Sequence, residues 1–189
     1  MNEQALQDLI LQLKMQLRDA AFEHFARYEL FSAVWWMLLG LAVVPLIIWW
    51  KLVDKKRLFE ISMFGLLLGL TATFLDVIGT DYGLWVYRVH MLPETAVLVP
   101  VDFVVLPVIQ MYVYQRCPKW GKYLLFSLLS AAVQSFAAEP LAVLIGQYKL
   151  VRWNILYSFP IYLAMDVIIK WIAGRFKKAQ EKAVSGGGN

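Results

Sequence analysis

Five apolar blocks divide the chain, and each is long enough to cross a bilayer as a helix of about 20 residues. They cover approximately residues 30–53, 58–78, 95–114, 123–145 and 153–173. Soluble domains lack such runs because about a quarter of their residues are charged. Here only 17% are charged and 60% are hydrophobic. The sequence therefore predicts an all-α integral membrane protein, a bundle of five transmembrane helices over residues 30–174.

Residues 1–29 have a different pattern, with apolar residues at helical spacing and polar residues between them. The apolar positions are Leu6, Leu9, Ile10, Leu13, Leu17 and Ala21. This predicts an amphipathic helix that lies in the membrane interface, packs on the bundle, or pairs with a second copy in a homo-oligomer. Residues 175–189 are basic and end in "SGGGN", which predicts a flexible tail.

Positive charge is unevenly distributed between the loops. Ten basic residues flank one side of the predicted spans: Lys51, Lys55, Lys56, Arg57, Arg116, Lys119, Lys122, Arg175, Lys177 and Lys178. Three flank the other: Arg88, Lys149 and Arg152. The positive-inside rule then places the C-terminus in the cytoplasm and the N-terminal helix outside. The net charge of +4 follows this pattern and does not indicate nucleic-acid binding.

Several kinds of site are disfavoured by the residues themselves. One cysteine and two histidines are too few for an internal disulfide or a cysteine- or histidine-based metal site, and no cofactor is predicted. A phosphate-binding loop, a zinc-protease helix and a nucleophile elbow are not found in the sequence. No tandem repeat is evident, and five spans do not divide into equal inverted halves, which disfavours the common transporter architectures.

Acidic residues within the apolar blocks are the main functional indication, because carboxylates in hydrocarbon are costly and usually functional. Counting along the helices places Asp76, Asp102 and Glu139 at a similar depth in the outer half of the membrane. Asp166 lies deeper and could pair with Lys170 one turn further on.

Each acid also has a structural interpretation. Asp102 lies between Pro100 and Pro107 and could bond to backbone donors near those breaks, and Glu139 precedes Pro140. Glu60 lies close to Lys55–Arg57 and is expected to pair with one of them at the interface. For the deeper acids, several carboxyls in one dry site cannot all be ionised, so at least one should hold a proton and could act as a general acid.

Aromatic residues lie at the same end of the bundle or along the same helices. They are Tyr82, Trp85, Tyr87, Phe103, Tyr112, Phe136, Trp153, Tyr157, Phe159 and Tyr162. Some are ordinary interfacial anchors. Others could line a cavity whose ring faces stabilise positive charge. The predicted substrate-binding residues are Tyr82, Trp85, Phe103, Tyr112, Phe136, Tyr157 and Tyr162.

Two resemblances add to this. The segments "ELFSAVWW", "FLDVIGTDYGLW" and "YLAMDVIIKW" resemble a family of small five-span membrane proteins from spore-forming Gram-positive bacteria, which implies a bacterial plasma-membrane location. Locally, Leu92–Tyr114 is similar to the acidic span-entry motif of membrane-embedded lycopene and terpene cyclases. That likeness implies acid catalysis on isoprenoids and extends to Glu94, but Thr95 replaces the second glutamate of the cyclase motif.

Three functions remain open on these grounds. The leading hypothesis is a membrane enzyme that protonates a lipid or isoprenoid, with Asp76, Asp102, Glu139, Asp166 and Glu94 as candidate catalytic residues. A proton- or cation-coupled transporter would use the same acids to bind an ion. A non-catalytic envelope or sporulation factor would use them only to hold helices together.

Overall fold

The computed structural model of the protein describes residues 2–93 and 97–186 and is mostly helical. Within those ranges, four helical segments are long and apolar enough to cross a membrane. They are Ala33–Leu52, Lys55–Asp81, Trp120–Leu144 and Ile155–Ser185. The predicted third block is a six-residue π-helical turn that continues into an 11-residue α-helix, which together fall just short of that length.

The elements follow one another as α1 (Glu3–His24), a π-helical turn (Phe25–Glu29), α2 (Ala33–Leu52), a 3₁₀ turn (Lys55–Arg57), α3 (Leu58–Asp81), β1 (Trp85–Tyr87), a π-helical turn (Pro100–Val105), α4 (Leu106–Arg116), α5 (Trp120–Val133), a π-helical turn (Gln134–Ala138), α6 (Glu139–Leu144), β2 (Tyr148–Leu150) and α7 (Ile155–Gly186). The helical prediction is therefore confirmed, whereas the two strands were not expected from the sequence.

Helix α1 begins at a side-chain cap, where Asn2 accepts a hydrogen bond from the backbone N–H of Ala5 at 2.8 Å. No residue of α1 is buried by the described part of the chain. Packing of this helix along the bundle is therefore not seen. Its apolar face, with Leu6, Ile10 and Leu17, is left for the membrane interface or a second copy.

The core is built around α3, which packs against α4, α7 and the Pro100–Val105 turn. Ile61, Phe64 and Leu68 of α3 are fully buried at one face of the helix. Gly65 lies on the same helix, and a Cβ there would collide with the side chain of Met111. The glycine thus allows α4 to approach α3 closely, as small residues do at helix interfaces in membranes.

A short antiparallel sheet joins the two connections at one end of the bundle, called the sheet end below. Trp85 pairs with Leu150, and Tyr87 pairs with Tyr148. Each strand follows a helix that stops at a glycine in the left-handed region, Gly83 at φ 63° and Gly146 at φ 72°.

The two turns make the same hydrogen bonds at the same spacing. Gly83 N–H donates to the Thr80 carbonyl, and Gly146 N–H donates to that of Val143. Across the sheet, Arg88 N–H donates to Gln147 and, symmetrically, Val151 N–H donates to Leu84. A helix–turn–strand unit is therefore repeated, although no repeat is evident in the sequence. Few residues are identical between the two copies, because the turn requires a particular residue type only at its glycine.

Helix α7 continues through residue 186, so most of the predicted flexible tail is helical. Alanine, glutamate, glutamine and lysine dominate residues 177–183, and these residues favour helix. The last three residues lie outside the described part of the chain.

Candidate functional site

Asp76 is buried at the sheet end of α3 and accepts three hydrogen bonds. Trp85 Nε1 and the Tyr87 hydroxyl both donate to its Oδ1 at 2.7 Å. The backbone N–H of Leu98 donates to Oδ2 at 3.1 Å. One carboxyl group therefore ties α3 to strand β1 and to the segment before α4.

Asp102 lies beside Asp76, and the two side chains interact electrostatically. It is 8% exposed, and its Oδ2 has no hydrogen-bond partner among residues 2–93 and 97–186. The residue sits in the Pro100–Val105 π-helical turn. Pro107 has no N–H to donate to the carbonyl of Phe103, so the helix widens there. Single π-helical turns of this kind are frequent at functional sites.

Glu139 is buried where the Gln134–Ala138 π-helical turn meets α6, next to Pro140. The Tyr162 hydroxyl donates to its Oε1 at 2.7 Å, and Ser158 Oγ contacts its Oε2 at 3.0 Å. Both donors lie on α7. Glu139 precedes Gly146 by the same number of residues as Asp76 precedes Gly83, so the two acids occupy equivalent places in the repeated unit.

The sheet covers these three acids with a layer of aromatic rings. Tyr87 stacks on Tyr148 with 5.5 Å between ring centroids, and Trp85 makes a T-shaped contact with Trp153 with 5.1 Å between centroids. Tyr148 is 8% exposed and interacts electrostatically with Glu139, Asp76 and Asp102. Asp76 and Asp102 thus adjoin each other, and Glu139 is linked to both through Tyr148; these three acids are called the acid cluster below.

The predicted aromatic residues divide into two groups. Trp85 and Tyr162 bond directly to the acids. The other five are exposed on the outside of the bundle, where they would contact lipid or water: Tyr82, Phe103, Tyr112, Phe136 and Tyr157. Tyr112 lies within 5.3 Å of the Arg116 guanidinium, and Phe136 stacks on Phe159, so neither faces the cluster.

Asp166 lies deeper in α7 and is 2% exposed. It makes no ion pair with Lys170 in the described structure, although their spacing along the helix would allow one. Lys170 Nζ instead donates to the carbonyl of Cys117 at 2.9 Å and lies 3.8 Å from the Tyr123 ring. The reason is that Cys117 caps α4, whose last carbonyls have no helical donor and carry partial negative charge.

Glu60 behaves as expected at the opposite end of the bundle. Arg57 donates to both of its carboxyl oxygens, at 2.8 and 3.1 Å, and Tyr114 and Lys177 also bond to it. The predicted pairing of Glu60 with a residue of Lys55–Arg57 is confirmed. Glu94, the residue carried over from the cyclase resemblance, lies outside the described residues.

A second polar group adjoins the acids on the far side of Tyr87. Glu29 is buried, its Oε1 lies 2.9 Å from His24 Nδ1, and its Oε2 lies 3.0 Å from His90 Nδ1. These three residues, with Tyr87 and Arg88, line a cavity of about 200 Å³. Because Tyr87 also bonds to Asp76, a single side chain separates this cavity from the acid cluster.

Sequence reasoning missed Tyr148, Ser158 and this Glu29 group. Tyr148 had one available signal, since it follows Gly146 at the spacing by which Trp85 follows Gly83. No sequence signal pointed to Ser158, because serine is common in membrane helices and only the fold brings this residue to Glu139.

The close packing of Trp85 on α3 gives a first prediction. A Cβ at Gly79 would overlap the Trp85 indole, whose Nε1 holds Asp76. Gly79→Ala is therefore expected to lower the free energy of unfolding by about 1–3 kcal/mol, the usual cost of overpacking. Gly40→Ala is the control, since its Cβ would meet nothing within 4 Å, and it should stabilise α2 by up to about 1 kcal/mol. Equal effects of the two variants in denaturant unfolding would contradict this packing.

The tyrosines of the sheet predict a pH dependence. Burial, reinforced by the neighbouring carboxylates, raises the pKa of Tyr87 and of Tyr148 above the ordinary value of about 10. The folded state then holds these protons more tightly than the unfolded state. Their contribution to stability is complete below pH of about 10 and is lost as the pH rises above it. Tyr148→Phe should make the fall in unfolding free energy above that pH less steep, and an unchanged slope would contradict the assignment.

Comparison of the chain with models of known protein families, with curated proteins and with solved structures found no match.

Proposed function

We propose that the protein is a membrane-embedded enzyme that protonates an isoprenoid or another unsaturated lipid, with Asp102 as the acid. One observation carries the proposal: the Oδ2 of Asp102 is buried without a partner in the described structure, beside an Asp76 that already accepts three hydrogen bonds. A carboxyl group with an available oxygen in a buried aromatic site can present a proton to an apolar substrate.

The charges of the pair support this assignment. Two carboxylates close together in a low-dielectric site repel each other, so one of them retains a proton. Asp76 has the donors that stabilise negative charge, and Asp102 accordingly holds the shared proton. Asp76 is then a positioning residue, which keeps Asp102 neutral without touching substrate.

The proposed reaction takes one proton from Asp102 and returns one proton to Glu139. The proton of Asp102 forms a new C–H bond with one alkene carbon, the π electrons supply that bond, and the other carbon becomes a carbocation. Loss of a neighbouring proton to Glu139 restores a double bond, after rearrangement or ring closure. Glu139 accepts bonds from Ser158 and Tyr162, which suit a carboxylate ready to act as a base.

The aromatic layer supplies what the cation requires. The rings of Trp85, Tyr87 and Tyr148 lie next to the acids, and the faces of aromatic rings carry negative charge density, which attracts a cation. The adjoining cavity combines apolar Phe25 and Pro93 with polar Arg88 and His90, which suits the polar end of a lipid.

The proposed setting is a bacterial plasma membrane, crossed five times, with the N-terminus outside and the C-terminus in the cytoplasm. The uneven distribution of basic residues supports this orientation. The Pro100–Val105 turn and α4 would make the third crossing, which the central packing of α3 on α4 supports. The acid cluster would then lie in the outer half of the membrane.

Mass spectrometry of co-purified lipids tests the proposal. The wild-type protein and Asp102→Asn are purified from the same host, and their lipids are extracted and compared. We expect an unsaturated isoprenoid or lipid in both, together with its rearranged isomer in the wild type alone. Ordinary phospholipids in identical proportions in both samples would contradict an enzymatic role and favour ion coupling or a structural role.

A further inference from the structure

A line of buried polar side chains continues from the acid cluster through the interior of the bundle. It comprises Asp102, Gln110, Ser130, Ser127, Asp166 and Lys170, together called the polar column. All but Ser130 are at most 8% exposed. They belong to α4, α5, α7 and the turn before α4, and α5 packs against both α4 and α7.

Hydrogen bonds connect α4 to α5 in the middle of the column. Gln110 lies about 12 Å along the helix axis from Asp102, at about 1.5 Å per residue. Its Nε2 donates to Ser130 Oγ at 3.0 Å. Gln134 Nε2 donates to the same oxygen at 2.8 Å, and Gln134 lies in the turn that leads to Glu139. A hydrogen-bonded link therefore runs from Gln110 through Ser130 to the turn before Glu139, and the remaining distance from Gln110 to Asp102 is about two helical turns.

Polar atoms without a protein partner recur along this line. Among the described residues they include Asp102 Oδ2, Gln110 Oε1, Ser127 Oγ and Asp166 Oδ2. In a membrane interior such atoms are costly unless they bond to water, and polar cavities of this kind normally hold ordered water. Their succession on three packed helices would let neighbouring waters bond to one another.

The far end of the column reaches the surface of the bundle. Lys170 Nζ donates to the carbonyls of Cys117 and Pro118, and Pro118 is exposed. At the other end, the rings of Trp85, Tyr87 and Tyr148 cover the acids. The Lys170 end therefore adjoins an exposed residue, whereas the other end is covered by the sheet. We expect protons to enter at the Lys170 end and not to cross the whole membrane.

From this arrangement we infer that the polar column is a hydrated half-channel that carries protons between the Lys170 end of the bundle and Asp102. Protons move by exchange along hydrogen-bonded water and side chains, and each proton that leaves Asp102 is replaced from the Lys170 end. The inference concerns proton access alone and does not require the lipid chemistry to be correct.

Infrared spectroscopy of the full chain in lipid nanodiscs tests it without a substrate. The C=O band of protonated Asp102 is identified as the band that Asp102→Asn removes, and its shift on transfer to D₂O is followed in time. Gln110→Leu is expected to slow that shift at least about tenfold, the effect of about 1.4 kcal/mol on a barrier. Ser127→Ala, which should fold readily, is expected to slow it in the same direction.

Thr73→Val is the matched control, because Thr73 Oγ1 is also buried without a partner in the described chain but lies on α3, outside the column. In this variant the Asp102 band should shift in D₂O at the wild-type rate. Exchange at the wild-type rate in both Gln110→Leu and Ser127→Ala would overturn the half-channel and indicate entry past the sheet. The absence of any band removed by Asp102→Asn would overturn it as well.

Discussion

Asp76→Ala is expected to lower the free energy of unfolding by about 3 kcal/mol or more. The substitution leaves Trp85, Tyr87 and the Leu98 N–H without an acceptor in a buried site, and each stranded donor costs about 1–3 kcal/mol. The loss also detaches the sheet from α3. Denaturant unfolding in detergent micelles, followed by tryptophan fluorescence, measures the change.

Two comparisons make this result specific. Asp76→Asn keeps one acceptor oxygen for Trp85 and Tyr87, so it should cost only about 1 kcal/mol, the value of one lost hydrogen bond. Asp81→Ala removes an exposed aspartate from the end of the same helix and should cost almost nothing. If Asp76→Ala unfolds at the same denaturant concentration as Asp81→Ala, Asp76 does not hold the sheet.

Asp102→Asn is expected to lower the rate of lipid conversion by about 100- to 10,000-fold, the usual contribution of a general acid. An amide has nearly the same shape as a carboxyl but has no acidic proton to transfer. The structural cost should be small, because the amide keeps an oxygen that can accept from the Leu98 N–H and an N–H that can donate to Asp76. The measurement is the initial rate of isomer formation in nanodiscs that contain the lipid identified with the purified protein.

Asp81→Asn serves as the control for this second prediction, because it makes the same chemical change at an exposed position of α3. Its rate should equal that of the wild type. Conversion by Asp102→Asn within a factor of about three of the wild type would remove Asp102 from the role of acid, since no general acid contributes so little.

The positions of the helices could be predicted from the sequence because crossing a bilayer demands long apolar runs. Helix α3 begins at Leu58 as expected, and α2 ends one residue before the predicted Val53. Counting along those helices also placed Asp76, Asp102 and Glu139 toward the same end of the bundle, as they are in the structure. Burial of all three acids could also be expected, because a carboxylate is costly in contact with lipid.

The contacts made by the acids could not be predicted, since they depend on residues far apart in the chain. Tyr162 and Glu139 lie on different helices, and only the packing of α7 brings them together. The sheet is equally hidden, because three-residue strands have no detectable pattern of alternation. Lys170 illustrates the same limit: its neighbour in the helix is Asp166, but free carbonyls at the end of α4 are better partners.

The most direct test of the central claim is deuterium transfer to the lipid. Wild-type protein and Asp102→Asn are incubated with the identified lipid in nanodiscs prepared in D₂O, and the product is analysed by mass spectrometry. An acid that exchanges with solvent and protonates a carbon should place deuterium in a new C–D bond in the wild type, and Asp102→Asn should not. Rearranged lipid that contains no deuterium, or equal labelling by the two proteins, would contradict proton donation by Asp102.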